Sequence, residues 1–155
     1  MWGRPRAGSI VLGLLVASGC PTTASDRQLR LSVDASDVEP RLAELGVLSV
    51  EVYGVRDTTT LCTLARRCLY PQDLGNPQTS AQLQGALRSI EPLVEVDADV
   101  AHQLAVVGRV GGLCDAQGPF LLCGFADLAT ASGNDLTIGL ADAQCPDTLP
   151  DFCPP

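Results

Sequence analysis

Six cysteines, Cys62, Cys68, Cys114, Cys123, Cys145 and Cys153, limit this 155-residue chain more than any other feature. An even set in an exported protein reads as a disulfide framework, whereas in a reducing compartment it would read as metal-binding or catalytic thiols. The metal reading fails on spacing. No pair is CxxC and the chain has a single histidine, while zinc sites combine close Cys or His pairs. Six half-cystines allow about 15 connectivities. Neighbour pairing, Cys62 with Cys68, Cys114 with Cys123 and Cys145 with Cys153, is favoured, because each pair brackets a turn or short loop. Closing loops that short stabilises by about 2–3 kcal/mol each in the chain-entropy picture. The last pair would tie down a tail, residues 143–155, that carries Pro146, Pro150, Pro154 and Pro155.

A seventh cysteine, Cys20, stands apart and bears on the compartment. Arg4 and Arg6 form a short positive region. An apolar run over residues 7–16 follows, broken only by Ser9 and two glycines, and then come Ala17, Ser18 and Gly19. That is the layout of a secretory signal helix, and it is well short of the roughly 20 apolar residues that span a bilayer. Val16-Ala17-Ser18-Gly19-Cys20 resembles the lipobox of bacterial lipoproteins, with Ala17 where Leu is commonest. The resemblance implies diacylglyceryl transfer to the Cys20 thiol and cleavage just before it. Acyl chains contribute about 0.8 kcal/mol per buried methylene, so one chain is marginal and two hold firmly. Pro21 is not the Asp associated with inner-membrane retention, which points to an outer membrane, on its periplasmic or surface face. The expected organisation is a signal peptide over 1–19, a lipidated tether over 20–27, a β domain over 28–142 and a disulfide-closed tail over 143–155.

Within the mature chain the dominant rhythm is alternation, the mark of half-buried strands. Leu29, Leu31, Val33 and Ala35 oppose Arg30, Ser32 and Asp34. Leu48, Val50 and Val52 face inward, with Ser49 and Glu51 outward, in a strand over 47–55. A strand over 58–64 follows, rich in β-branched residues. Residues 80–90 place Leu83, Ala86, Leu87 and Ile90 on one helical face, with Thr79 or Ser80 as N-cap and Pro92 beyond. Val94, Val96, Ala98 and Val100 then alternate with acids, and Leu104, Val106 and Val110 continue the pattern. Residues 120–126 form an apolar run, and after the turn at 132–135 Leu136, Ile138 and Leu140 close the series. The expectation is a mainly β fold, an antiparallel β-sandwich of about seven strands with at most one short helix.

Residues 93–140, through Ala105-Val106-Val107-Gly108-Arg109, Cys123-Gly124-Phe125-Ala126-Asp127 and the final Leu-Thr-Ile-Gly-Leu strand, resemble the immunoglobulin-like or transthyretin-like sandwich domains of proteobacterial lipoproteins, myxobacterial ones especially. The resemblance covers about a third of the chain. It implies a fold and no catalytic residues.

Charge narrows the partners. The chain carries a formal −8; without Arg4 and Arg6, eight basic residues face the same 18 acids, a net −10. Phosphate backbones repel such a surface, so nucleic acid is not an expected partner. His102, the one histidine, has no G-x-S-x-G elbow to serve. Glu95, Asp97 and Asp99, with Asp34 and Asp37, are hard oxygen donors that could hold calcium, though they follow the solvent face of strands and no D-x-D-x-D-G loop is present. Arg66-Arg67 is expected as exposed charge on a hairpin tip between Cys62 and Cys68. The residues call for no metal and no cofactor, and they identify no small-molecule substrate. The expected role is a non-catalytic structural or binding module of the cell envelope, partnered by the membrane through its lipid and by an envelope protein. A calcium-dependent adhesion domain and a small hydrolytic enzyme are the alternatives.

Overall fold

The computed structural model describes residues 26–27, 29–56, 59–90, 96–97, 99–131 and 134–155. The signal segment, Cys20, most of the tether, Thr58, Val94, Glu95 and Ala98 lie outside them. The described chain is mainly strand: β1 (Asp26–Arg27), β2 (Arg30–Asp34), β3 (Val47–Gly54), β4 (Cys62–Leu69), β5 (Val96–Asp97), β6 (Ala101–Arg109), β7 (Phe120–Asp127) and β8 (Asp135–Gly139). A nine-residue 3-10 helix, Ser36–Glu44, links β2 to β3, and a single α-helix, α1 (Ser80–Ser89), lies between β4 and β5. No helix among the described residues is long and apolar enough to cross a membrane.

Four strands form an antiparallel sheet in the order β4-β3-β6-β7. One of its faces, carrying Leu48, Val50, Val52, Leu104, Val106 and Leu122, meets Leu31 and Val33 of β2, Leu136 and Ile138 of β8, and Leu83 and Leu87 of α1 in one buried cluster. Helix α1 starts where its cap chemistry dictates. Thr79 Oγ1 accepts from the Gln82 amide at 3.3 Å, and Gln82 Oε1 accepts from the Thr79 amide at 3.3 Å, a reciprocal capping box. Ser80 is thereby free for tertiary contact: its hydroxyl accepts from the Ala35 amide at 2.8 Å.

The short strands β2 and β8 pair parallel, Leu31 opposite Leu136 and Val33 opposite Ile138. Alternation tells which residues face a core, not which way the neighbour runs, so the expected antiparallel order did not extend to this pair. A parallel pair needs a long crossover, and here the whole four-stranded sheet lies between the two strands in sequence. Past β8 the chain reaches the outer edge of β7, where the Cys123 and Ala141 backbones exchange two hydrogen bonds of 3.0 Å. Gly124 permits this approach, because a Cβ there would collide with the Gly139 carbonyl and the Ile138 side chain.

Two sequence expectations are corrected. The third strand runs over Cys62–Leu69 rather than 58–64, so no hairpin tip lies between Cys62 and Cys68. Along a strand, six residues span about 20 Å, far beyond the roughly 7 Å limit for a disulfide. Neighbour pairing is accordingly absent. The bonds are Cys62–Cys153, Cys68–Cys114 and Cys123–Cys145, with Cα separations of 4.9, 6.0 and 5.0 Å. The tail is therefore not a self-closed loop: it is fastened at two points to the sheet.

Candidate functional site

The second face of the sheet was expected to meet solvent, yet Ser49 and Glu51 on β3 are fully buried. The cover is the tail. Leaving β8, it is bonded to β7 through Cys145 and Cys123 and to β4 through Cys153 and Cys62. It also pairs with the start of β4: the Thr63 amide donates to Asp151 O at 2.7 Å, and the Cys153 amide donates to Thr63 O at 3.0 Å. Leu149 from the tail packs with Tyr53, Ala105, Val107 and Cys123 in a second, smaller apolar cluster.

Beneath this roof sits a polar cluster centred on Glu51. Its Oε1 accepts from Ser49 Oγ at 2.6 Å and from Arg109 Nη2 at 3.2 Å, and Arg66 Nε lies 3.0 Å away. Its Oε2 accepts from Tyr53 OH and from Arg66 Nη2, both at 3.0 Å. Arg109 also donates from Nη1 to Ser49 Oγ at 2.7 Å and from Nε to the Ala116 carbonyl at 3.0 Å. Each guanidinium lies over an aromatic ring, Arg66 4.8 Å from the centre of Phe152 and Arg109 5.3 Å from that of Phe120. Side-chain exposure is 9% for Arg66, 4% for Arg109 and 0% for Glu51.

Such burial is tolerable only because the carboxylate is ringed by donors. Strand geometry does the placing. Ser49, Glu51 and Tyr53 alternate on one face of β3, Arg66 is the cross-strand partner of Glu51 on β4, and Arg109 closes β6 opposite Val47. Arg66 is thus a half-buried strand residue with its side chain turned into the cluster, correcting the exposed position expected for it. A trace of the cluster was visible in the sequence, since a serine, a glutamate and a tyrosine interrupt an otherwise apolar strand with period two.

Burial, and secondarily the charge of Glu51, hold the Tyr53 phenol well above the usual tyrosine range. A proton retained in the fold but released on unfolding stabilises the fold fully below the unfolded-state value of about 10 and progressively less as pH climbs above it. Tyrosinate absorbance from Tyr53 is therefore expected only as the fold opens, and Tyr53→Phe should flatten the alkaline fall in stability. An alkaline titration followed by ultraviolet absorbance and circular dichroism checks this. Tyrosinate from Tyr53 in a chain that keeps its strand signal would contradict it.

The other candidates fall apart from this cluster. His102 is exposed on β6, and its carbonyl accepts from the Leu128 amide at 2.8 Å. Asp34 is drawn below the usual carboxylate range, first by the Ser36 hydroxyl and then by the Ser36 amide. Asp97 caps its own turn by accepting from the Asp99 amide at 3.0 Å. Among the described residues no three His, Cys, Asp or Glu side chains gather as a metal site, so Asp34, Asp37, Asp97 and Asp99 do not converge.

Beside the Glu51 cluster a groove of about 380 Å3 opens to solvent, lined chiefly by Arg66, Cys68, Tyr70, Leu113, Cys114 and Phe152. The Cys68–Cys114 disulfide ties its two sides together, β4 on one and the β6–β7 connection on the other. Comparison with known proteins finds no matching family model, curated protein or solved structure.

Proposed function

We propose that this chain is an exported lipoprotein, acylated on Cys20 and anchored to the outer membrane on its periplasmic or surface face, whose domain serves the bacterial envelope as a non-catalytic structural or binding module. The cysteine arithmetic carries the reading. Six cysteines are consumed in three disulfides, the chemistry of an oxidising compartment. That leaves over the one cysteine standing directly after a signal-like apolar run. On this reading the domain is a sandwich of the immunoglobulin-like or transthyretin-like kind, its four-stranded sheet facing the β2–β8 pair across the larger apolar cluster.

The non-catalytic part rests on Glu51. Both of its oxygens are engaged by Ser49, Tyr53, Arg66 and Arg109 beneath the tail, which suits a framework group better than an acid or base needing access to substrate. Intact-mass measurement of unreduced protein from its native membrane is the test. A chain beginning at Cys20 with lipid mass and three disulfides is the expected result. An unlipidated chain beginning elsewhere would end the anchor proposal, and free thiols would end the compartment assignment.

A further inference from the structure

We propose that the groove beside Arg66 is a binding site for a small apolar monocarboxylate, its hydrocarbon body between Tyr70, Leu113 and Phe152 and its carboxylate toward the Arg66 guanidinium. This deepens the binding-module reading and rests on it, but it does not depend on the lipid anchor.

Two observations converge. The first is the apolar rim: Leu113 is 69% exposed, Phe152 57% and Tyr70 38%. Large apolar side chains gathered around one concavity, rather than scattered singly, mark a surface built to be covered. At about 380 Å3 the groove lies in the range of small-ligand sites, which pair apolar walls with a few polar groups.

The second is charge. The buried cluster behind the groove sets two guanidiniums, Arg66 and Arg109, against one carboxylate, Glu51. Tyr53 stays a neutral phenol. Asp115 also borders the groove but is exposed and forms no ion pair with either arginine. One guanidinium charge of the cluster is thus unmatched by a carboxylate, and of the two arginines Arg66, of intermediate exposure, is the one that lines the groove. An anion entering there would complete the pairing, with charge-assisted hydrogen bonds to guanidinium as its natural contact. An apolar tail explains the rim, and a carboxylate explains the floor.

The probes are decanoate and its neutral counterpart decan-1-ol, titrated calorimetrically and by thermal denaturation into the disulfide-intact full-length chain without detergent. Decanoate is expected to bind one-to-one and to raise Tm saturably, with decanol at least ten-fold weaker. Leu113→Asp, at an exposed position that leaves the core untouched, should abolish binding without altering the Tm of the free protein. Arg66→Met should cost decanoate affinity selectively, narrowing the ratio to decanol. Equal binding of acid and alcohol would overturn the carboxylate assignment. No binding, or binding unaffected by Leu113→Asp, would overturn the site while leaving the anchor and its mass-spectrometric test intact.

Discussion

Glu51→Gln lowers the stability of the domain by about 3–5 kcal/mol, the usual cost of removing one partner from a buried ion pair. The reason is asymmetric. The buried carboxylate sits between two guanidiniums, 3.0 Å from Arg66 and 3.2 Å from Arg109. Neutralising it leaves Arg109, 4% exposed, without a carboxylate partner and deprives Arg66 of its own. The amide nitrogen of glutamine also presents donors where Ser49, Tyr53 and the arginines already donate. Surface pairing offers the contrast. Glu44 lies 3.7 Å from Arg41 with both side chains well exposed, so Glu44→Gln should change stability by no more than about 0.5 kcal/mol. Equilibrium urea denaturation of both variants decides the matter. A Glu51→Gln loss no larger than that of Glu44→Gln would mean that the cluster contributes no more than an exposed pair.

The second large effect concerns the tail. The bonds Cys62–Cys153, Cys68–Cys114 and Cys123–Cys145 join residues 91, 46 and 22 positions apart. Loop-closure entropy then ranks their paired Cys→Ser variants at losses of about 4.5, 4 and 3.5 kcal/mol. The first should exceed its place in that ranking, because freeing residue 153 also releases Phe152 from Arg66 and the 151–153 backbone from Thr63. Connectivity itself is read by tryptic mapping without reduction, since cleavage at arginine isolates residues 57–66, 68–88 and 110–155. Both shorter peptides should be found bonded to 110–155. A 57–66 peptide bonded to 68–88 would restore neighbour pairing and remove the tail from the sheet. A Cys62→Ser/Cys153→Ser variant as stable as the parent would show that the strap adds nothing.

Much of the secondary structure was legible because alternation and capping are local. Leu48, Val50 and Val52 announced β3, residues 120–126 announced β7, and the spacing of Leu83, Ala86, Leu87 and Ile90 announced α1, with its N-cap narrowed to Thr79 or Ser80. Burial on one face of each strand followed from the same pattern. The number of half-cystines and their oxidation were equally a matter of count and context.

Partnership was not legible. Strand direction in the β2–β8 pair, the disulfide connectivity, the burial of Ser49, Glu51 and Arg109 and the inward turn of Arg66 all depend on segments far apart in sequence. A polar residue alternating with apolar ones reads as solvent-facing unless something covers that face. Here the cover is a proline-rich tail with no periodicity of its own, held down by cysteines whose partners no local pattern reveals. Local periodicity determined which residues form strands and which sides of them are apolar. Only the tertiary structure decided that the other side of the sheet is also closed, because the free energy of burying Glu51 depends on two arginines, a tyrosine and a strapped tail arriving together.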